Sequence, residues 1–124
     1  MKRRLNGIAA YEYWVLRALS NSGDSAMLPQ VYRVIWEKMR NQFGPHELAM
    51  TEGPNPEPRW ENETRQARRN LVKVNDGRME PSEEDGTWKI SEKGETWLRE
   101  NPTPPSLNSL NSLLVDDGDL DCDV

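Results

Sequence analysis

The chain has almost none of the residues that do chemistry on their own. One cysteine and one histidine occur in 124 residues, so neither an internal disulfide nor a Cys/His zinc site can be assembled. Cys122 lies among aspartates at the very end and reads as inert. His46 stands beside Pro45 with no second ligand at a metal spacing, which makes it a poor ligand and a poor general base. No nucleophile and base can be paired, so no enzymatic role and no cofactor is expected. Runs of about 18 apolar residues are also missing, which excludes a membrane span and a membrane partner of that kind. The basic start, Met1-Lys2-Arg3-Arg4-Leu5, passes into Asn6-Gly7 and Tyr11-Glu12 before a signal-like apolar stretch can form. A cytoplasmic location follows. The length allows one domain with tails, too little for a large catalytic cleft.

Base is scarcer than acid, with 16 Lys and Arg against 21 Asp and Glu and a formal net charge of -5. The imbalance is local. Residues 1–101 hold all 16 cations and 16 of the acids; the remaining five are Asp116, Asp117, Asp119, Asp121 and Asp123. The body of the protein is therefore neutral, and an acidic total does not argue against a nucleic-acid partner. The tail, residues 102–124, opens on Pro102, Pro104 and Pro105, repeats Ser-Leu-Asn and ends in acid. So biased a segment reads as disordered and solubilising. The alternative is that Leu107, Leu110 and Leu114 line one side of a short helix and the aspartates imitate phosphate at high effective concentration.

What is abundant is tryptophan, with five copies, and clear helical periodicity. Tyr11, Trp14, Val15, Ala18 and Leu19 recur at spacings of three and four, which predicts a helix over 8–20 with residues 1–7 as an arm. Tyr13 and Leu16 fall on its opposite side and make a second apolar patch. The turn 21–25 offers Asp24 or Ser25 as the cap of a second helix with Pro29 in its first turn and Leu28, Val31, Tyr32, Ile35, Trp36 and Met39 as its stripe. That helix ends near Phe43-Gly44-Pro45. Residues 46–50 suit one short helical turn, and residues 51–58, with three prolines and a glycine, must be loop.

Residues 59–73 place four arginines and a lysine on one predicted helix. At 100° per residue, Trp60, Thr64, Ala67 and Leu71 share the inner side, while Asn62, Arg65, Gln66, Arg69 and Lys73 share the outer one. Every member of that outer strip can donate a hydrogen bond. Glu61 and Glu63 lie in the first turn, where negative charge suits the helix dipole, and project to the flanks; Glu61 precedes Arg65 by four, a favourable order for a pair. Next, 78–81 and 87–90 read as strands around the polar turn 82–86, whose Asp85-Gly86 is a hairpin signal. Ser91 can cap a last short helix that ends at Trp97-Leu98 before the prolines. All five tryptophans lie on apolar stripes or the hairpin and read as core.

The predicted architecture is α+β, mainly α: a winged helix-turn-helix of three helices, a β-hairpin wing and a short C-terminal helix, over residues 8–101. In that arrangement the third helix enters the major groove of double-stranded DNA. Arg65 and Arg69 can then bond guanine O6 and N7, Asn62 or Gln66 can pair with adenine, and Arg59, Arg68 and Lys73 suit phosphates. The sequence also resembles the N-terminal domain of Mrr-type restriction proteins. Tyr11-Glu12-Tyr13-Trp14-Val15-Leu16-Arg17-Ala18-Leu19 looks like its first helix, Arg59-Trp60-Glu61-Asn62 with Ala67 and Leu71 like its recognition helix. Residues 86–94, Gly-Thr-Trp-Lys-Ile-Ser-Glu-Lys-Gly, with Trp97-Leu98 resemble its closing wing and helix. The resemblance covers about residues 8–100 and implies a DNA reader, for modified DNA, that serves a separate effector nuclease. No Asp followed by a Glu-x-Lys triplet stands in this sequence to hold a catalytic metal, so cleavage by this chain alone is not expected. Partners are therefore double-stranded DNA with an effector or a second copy. The rival reading is a protein-interaction adaptor that uses the Tyr13/Leu16 patch and the wing; its binding would be insensitive to salt, whereas DNA binding weakens steeply.

Overall fold

The computed structural model describes residues 2–73, 75–81, 86–105 and 107. The polar turn expected between the two predicted strands and most of the tail lie outside these residues. In chain order the elements are helix α1 (Lys2–Asn21), strand β1 (Ser25–Met27), helix α2 (Leu28–Met39), a 3-10 turn (Arg40–Gln42) and the short helix α3 (Pro45–Leu48). Helix α4 (Arg59–Leu71), strands β2 (Met79–Glu80) and β3 (Thr87–Ile90), and helix α5 (Glu92–Glu100) complete them. The fold is mainly helical with one small antiparallel sheet, in which β3 lies between β1 and β2.

Helix α1 is the hub of the core. Ala10, Tyr11, Tyr13, Val15, Leu16, Ala18 and Leu19 are all buried along it, more than one stripe of a surface helix can supply. The patch formed by Tyr13 and Leu16 is therefore not open to a partner, contrary to expectation. Helix α5 and the chain after it cover that side: Tyr13 meets the Trp97 ring edge-on at 6.2 Å, and its hydroxyl donates to the Pro102 carbonyl at 3.2 Å. Beyond, Leu107 is buried and its N–H donates to Gln42 Oε1 at 2.7 Å, so the first part of the tail packs on the body where the sequence reads as disordered. At the other end the helix begins at Lys2, and the expected N-terminal arm forms its first turns; Gly7, the one weak helix former with no side chain there, costs only about 1 kcal/mol in a helix interior.

A strand appears where a helix cap was expected. Backbone bonds from Ser22 and Asp24 to the Leu19 carbonyl close α1, and Gly23 and Asp24 take the left-handed conformation. Ser25, Ala26 and Met27 then pair with Lys89, Trp88 and Thr87. Helix α2 consequently starts later, at Leu28, with the Gln30 side chain accepting from the Met27 N–H at 3.2 Å. Three residues are too few to show the alternation that reveals a strand. Among the described residues no helix is long and apolar enough to cross a membrane.

The sheet is fastened to the helices through Ser91 and Gly94. Ser91 Oγ accepts from the Gly94 N–H, as the cap expected of it, and donates to the Gly77 carbonyl. Gly94 lies so close to the chain before β2 that an added Cβ would sit 2.2 Å from the Arg78 carbonyl oxygen and 2.7 Å from Ile90 Cγ1. A backbone atom cannot swing aside as a side chain can. Gly94→Ala should therefore destabilise the protein by about 1–3 kcal/mol, the range for overpacking a tight site, read as a lower urea midpoint; an unchanged midpoint would show that β2 and α5 separate easily.

Candidate nucleic-acid interface

Helix α4 has the two-sided character that its spacing predicts. Trp60, Thr64, Ala67 and Leu71 are buried, and Trp60 is gripped by aromatic rings. Tyr32 stands edge-on to it at 5.6 Å, Trp36 is tilted against it at 5.6 Å, and Phe43 stacks on it at 5.7 Å. Aromatic pairs at such separations add to simple burial. Of the five tryptophans, Trp36 departs from the core assignment: it is 38% exposed, on the rim of this cluster. Thr64 Oγ1 donates to the Trp60 carbonyl, which satisfies a hydroxyl inside the core.

The opposite side is less uniform than the helical wheel implies. Arg69 and Lys73 are exposed, and Arg59, Asn62, Arg65, Gln66 and Arg68 are half-buried. Lys73 lies beyond the helix, whose last residue is Leu71. Arg68 is drawn sideways over the Trp88 ring at 5.6 Å, which ties α4 to β3. Arg65 is the largest departure from a free outer donor. It does not pair with Glu61. Its Nη1 and Nη2 donate to the two carboxylate oxygens of Glu57, each at 2.6 Å, and Nη1 also donates to the Tyr32 hydroxyl at 3.1 Å. Asn62 Nδ2 reaches the same carboxylate at 3.4 Å. Gln66, Arg69, Lys73 and the Arg59 side chain form no comparable bond with a described residue.

Glu57 owes its place to the loop before α4. Residues 51–57 are closed at the base by the Thr51 N–H to Glu57 carbonyl bond at 2.8 Å, by Thr51 Oγ1 accepting from the Glu57 N–H, and by a bridge between Met50 and Pro58. Pro56 and Pro58 restrict the chain on either side. Nothing in the spacing announces the contact, because Glu57 and Arg65 are eight residues apart across a loop-to-helix junction. The second contact absent from the sequence reading joins His46 of α3 to Glu63, Nε2 to Oε2 at 3.1 Å. Glu63 is buried and does not flank the helix in solvent; His46, expected to stand alone, is its neighbour.

Charge partners follow from these distances. Hydrogen bonds from Arg65 hold the Glu57 carboxyl below the usual carboxylate range, and Glu57, then Tyr32, push the Arg65 guanidinium up. Burial, followed by the nearby Glu57 charge, pushes the Glu61 carboxyl up. Burial likewise pushes the Tyr32 hydroxyl up, against the Arg65 hydrogen bond. At the far end of α4, Asn70 and Arg78 both donate to Glu12 of α1, at 3.3 and 3.1 Å. Arg78 also holds Asp76 through two bonds of 2.9 Å and lies 4.8 Å over the Trp97 ring. No set of three or more His, Cys, Asp or Glu that could hold a metal occurs among the described residues. No protein-family model, curated protein or solved structure matches the chain.

The Glu57 contact sets a pH dependence whose sign is fixed. A carboxyl lowered in the folded state contributes stability above its unfolded pKa and loses it as the pH falls through the folded value. Glu57→Gln should therefore cost about 1 kcal/mol at pH 7, the upper range for a partly exposed pair with good geometry. That cost should shrink as the pH drops below the ordinary range of glutamate. Urea unfolding of both proteins at pH 7, 5 and 3.5 measures it; a cost that does not fall with pH would mean that the carboxylate charge is not what holds the loop.

Proposed function

We propose that the chain is a DNA-binding winged-helix protein, akin to the reader domain of Mrr-type restriction proteins, with α4 as its recognition helix. The observation that carries this reading is the division of α4: Trp60 and its aromatic neighbours fix one face in the core, and Gln66 and Arg69, with Lys73 beyond the helix, are left outside with donors unspent on described residues. The order of elements supports it, with α2 and α4 as the helix pair, β2 and β3 as the wing and β1 completing the sheet. A helix of 13 residues rises about 20 Å at 1.5 Å per residue, and a major groove about 12 Å wide admits it. In that pose Asn62 or Gln66 faces adenine, Arg69 faces guanine, and Arg59 and Lys73 meet phosphates. Arg68, stacked on Trp88, steadies the helix against the sheet and reaches the backbone from there. The Trp60 ring is buried and does not stack on a flipped base.

A carboxylate, Glu57 of the loop, already stands against this strip and occupies Arg65. Phosphate neutralisation therefore falls on few cations. With three phosphates met by Arg59, Arg68 and Lys73, the logarithm of the binding constant should fall with the logarithm of salt at a slope of about -3. Arg69→Ala and Lys73→Ala should each weaken binding to a 30-base-pair duplex, and the phosphate-contacting one should lower the slope by about 1. Fluorescence anisotropy over a salt series tests this. Binding that ignores salt, or that neither substitution weakens, would sink the assignment and favour an apolar protein partner.

A further inference from the structure

The Glu57 carboxylate occupies only one side of Arg65. A guanidinium carries five N–H donors in a plane: a pair on the Nη1/Nη2 end, a pair on the Nε/Nη2 side, and one outer Nη1 hydrogen. Glu57 takes the end pair with two bonds of 2.6 Å, and Tyr32 takes a further bond from Nη1 at 3.1 Å. The Nε/Nη2 fork, two parallel donors, is bonded to no described residue. The Arg65 side chain is 35% exposed while Glu57 is 22% exposed, so the arginine side chain is partly open to solvent while its guanidinium is fixed in orientation by Glu57 and Tyr32.

Resting on the DNA reading above, we infer that Glu57 and Tyr32 are positioning residues that aim the Nε/Nη2 fork of Arg65 at guanine, making Arg65 a base-selecting residue. Two features choose guanine over phosphate. The fork fits both acceptor pairs, but an anion brought to a guanidinium already paired with a carboxylate meets a second negative charge, and the adjacent Glu61 adds another. Guanine offers O6 and N7 as neutral acceptors in the major groove and meets no such repulsion. The backing also removes the freedom that a long exposed arginine loses on binding. Two prolines and the hydrogen-bonded loop base hold Glu57 itself, so the aim is built in before DNA arrives.

The test is selection from a pool of random-sequence duplexes by wild type, Arg65→Lys, Arg65→Gln and Glu57→Gln. The selected duplex is then compared with one carrying 7-deazaguanine, which lacks the N7 acceptor. Wild type should select a guanine at one position and lose about 10-fold in affinity on 7-deaza substitution, as for one bidentate base contact. Both Arg65 variants should lose that preference. Glu57→Gln should reduce it several-fold although Arg65 is intact, which loss of fold alone would not produce when binding is compared at a temperature where circular dichroism shows both proteins folded. A phosphate-contacting Arg65 would instead lower the salt slope by about 1 in Arg65→Gln with base preference kept, and that overturns the inference. So does a Glu57→Gln protein that binds every duplex more tightly with unaltered preference, since Glu57 would then be a mere competitor for Arg65. If wild type binds no duplex in the pool, the DNA reading itself fails and this inference falls with it.

Discussion

The packing of Trp60 among Tyr32, Trp36 and Phe43 decides which way α4 faces. A helix joined to the preceding helix by the ten residues 49–58 could settle in several rotations about its axis. The ring at its first turn closes those choices, because stacking on Phe43 and edge contact with Tyr32 can be satisfied together in only one of them. Everything placed on the outer strip depends on that choice. The same contacts bring Tyr32 beside Arg65, so the residue that seats the helix also helps to orient an arginine on it.

The other end of α4 is held by charge. Glu12 of α1 accepts from Asn70 near the end of α4 and from Arg78 just before β2, and Arg78 lies over Trp97 of α5. Burial pushes the Glu12 carboxyl up, against the attraction of Arg78. A buried carboxylate of this kind gains little net stability from its partner, but it makes a wrong register expensive, because any shift leaves a charge unpaired. With an apolar clamp at one end and a charged one at the other, α4 is fixed in rotation and in translation.

Helical periodicity made α2 and α4 legible in the sequence, including four of the five buried residues of α4 but not Glu63, and turn chemistry located the Ser91 cap and the proline loop. What escaped were contacts between elements. Tyr13 and Leu16 have the spacing of an exposed patch, and only the return of the chain through α5 and Pro102 buries them. Strand β1 is too short to carry a pattern of its own and exists because β3 offers it an edge. Within the candidate interface, angle alone identified Asn62, Gln66 and Arg69 as outward, and missed that Arg65 is backed by Glu57. That contact arises from a loop whose path spacing does not encode.

The proposed DNA reading requires α4 to present its outer strip to a duplex. The most direct measurement is a nuclear magnetic resonance titration of the isotope-labelled protein with a short duplex, following the Asn62 and Gln66 side-chain amides and the backbone of α4. Progressive shifts are expected at Asn62, Gln66, Arg69 and Lys73, with the α1 and α5 signals nearly still. Shifts confined to α1, α5 or the Trp36 rim, with the strip unmoved, would contradict it.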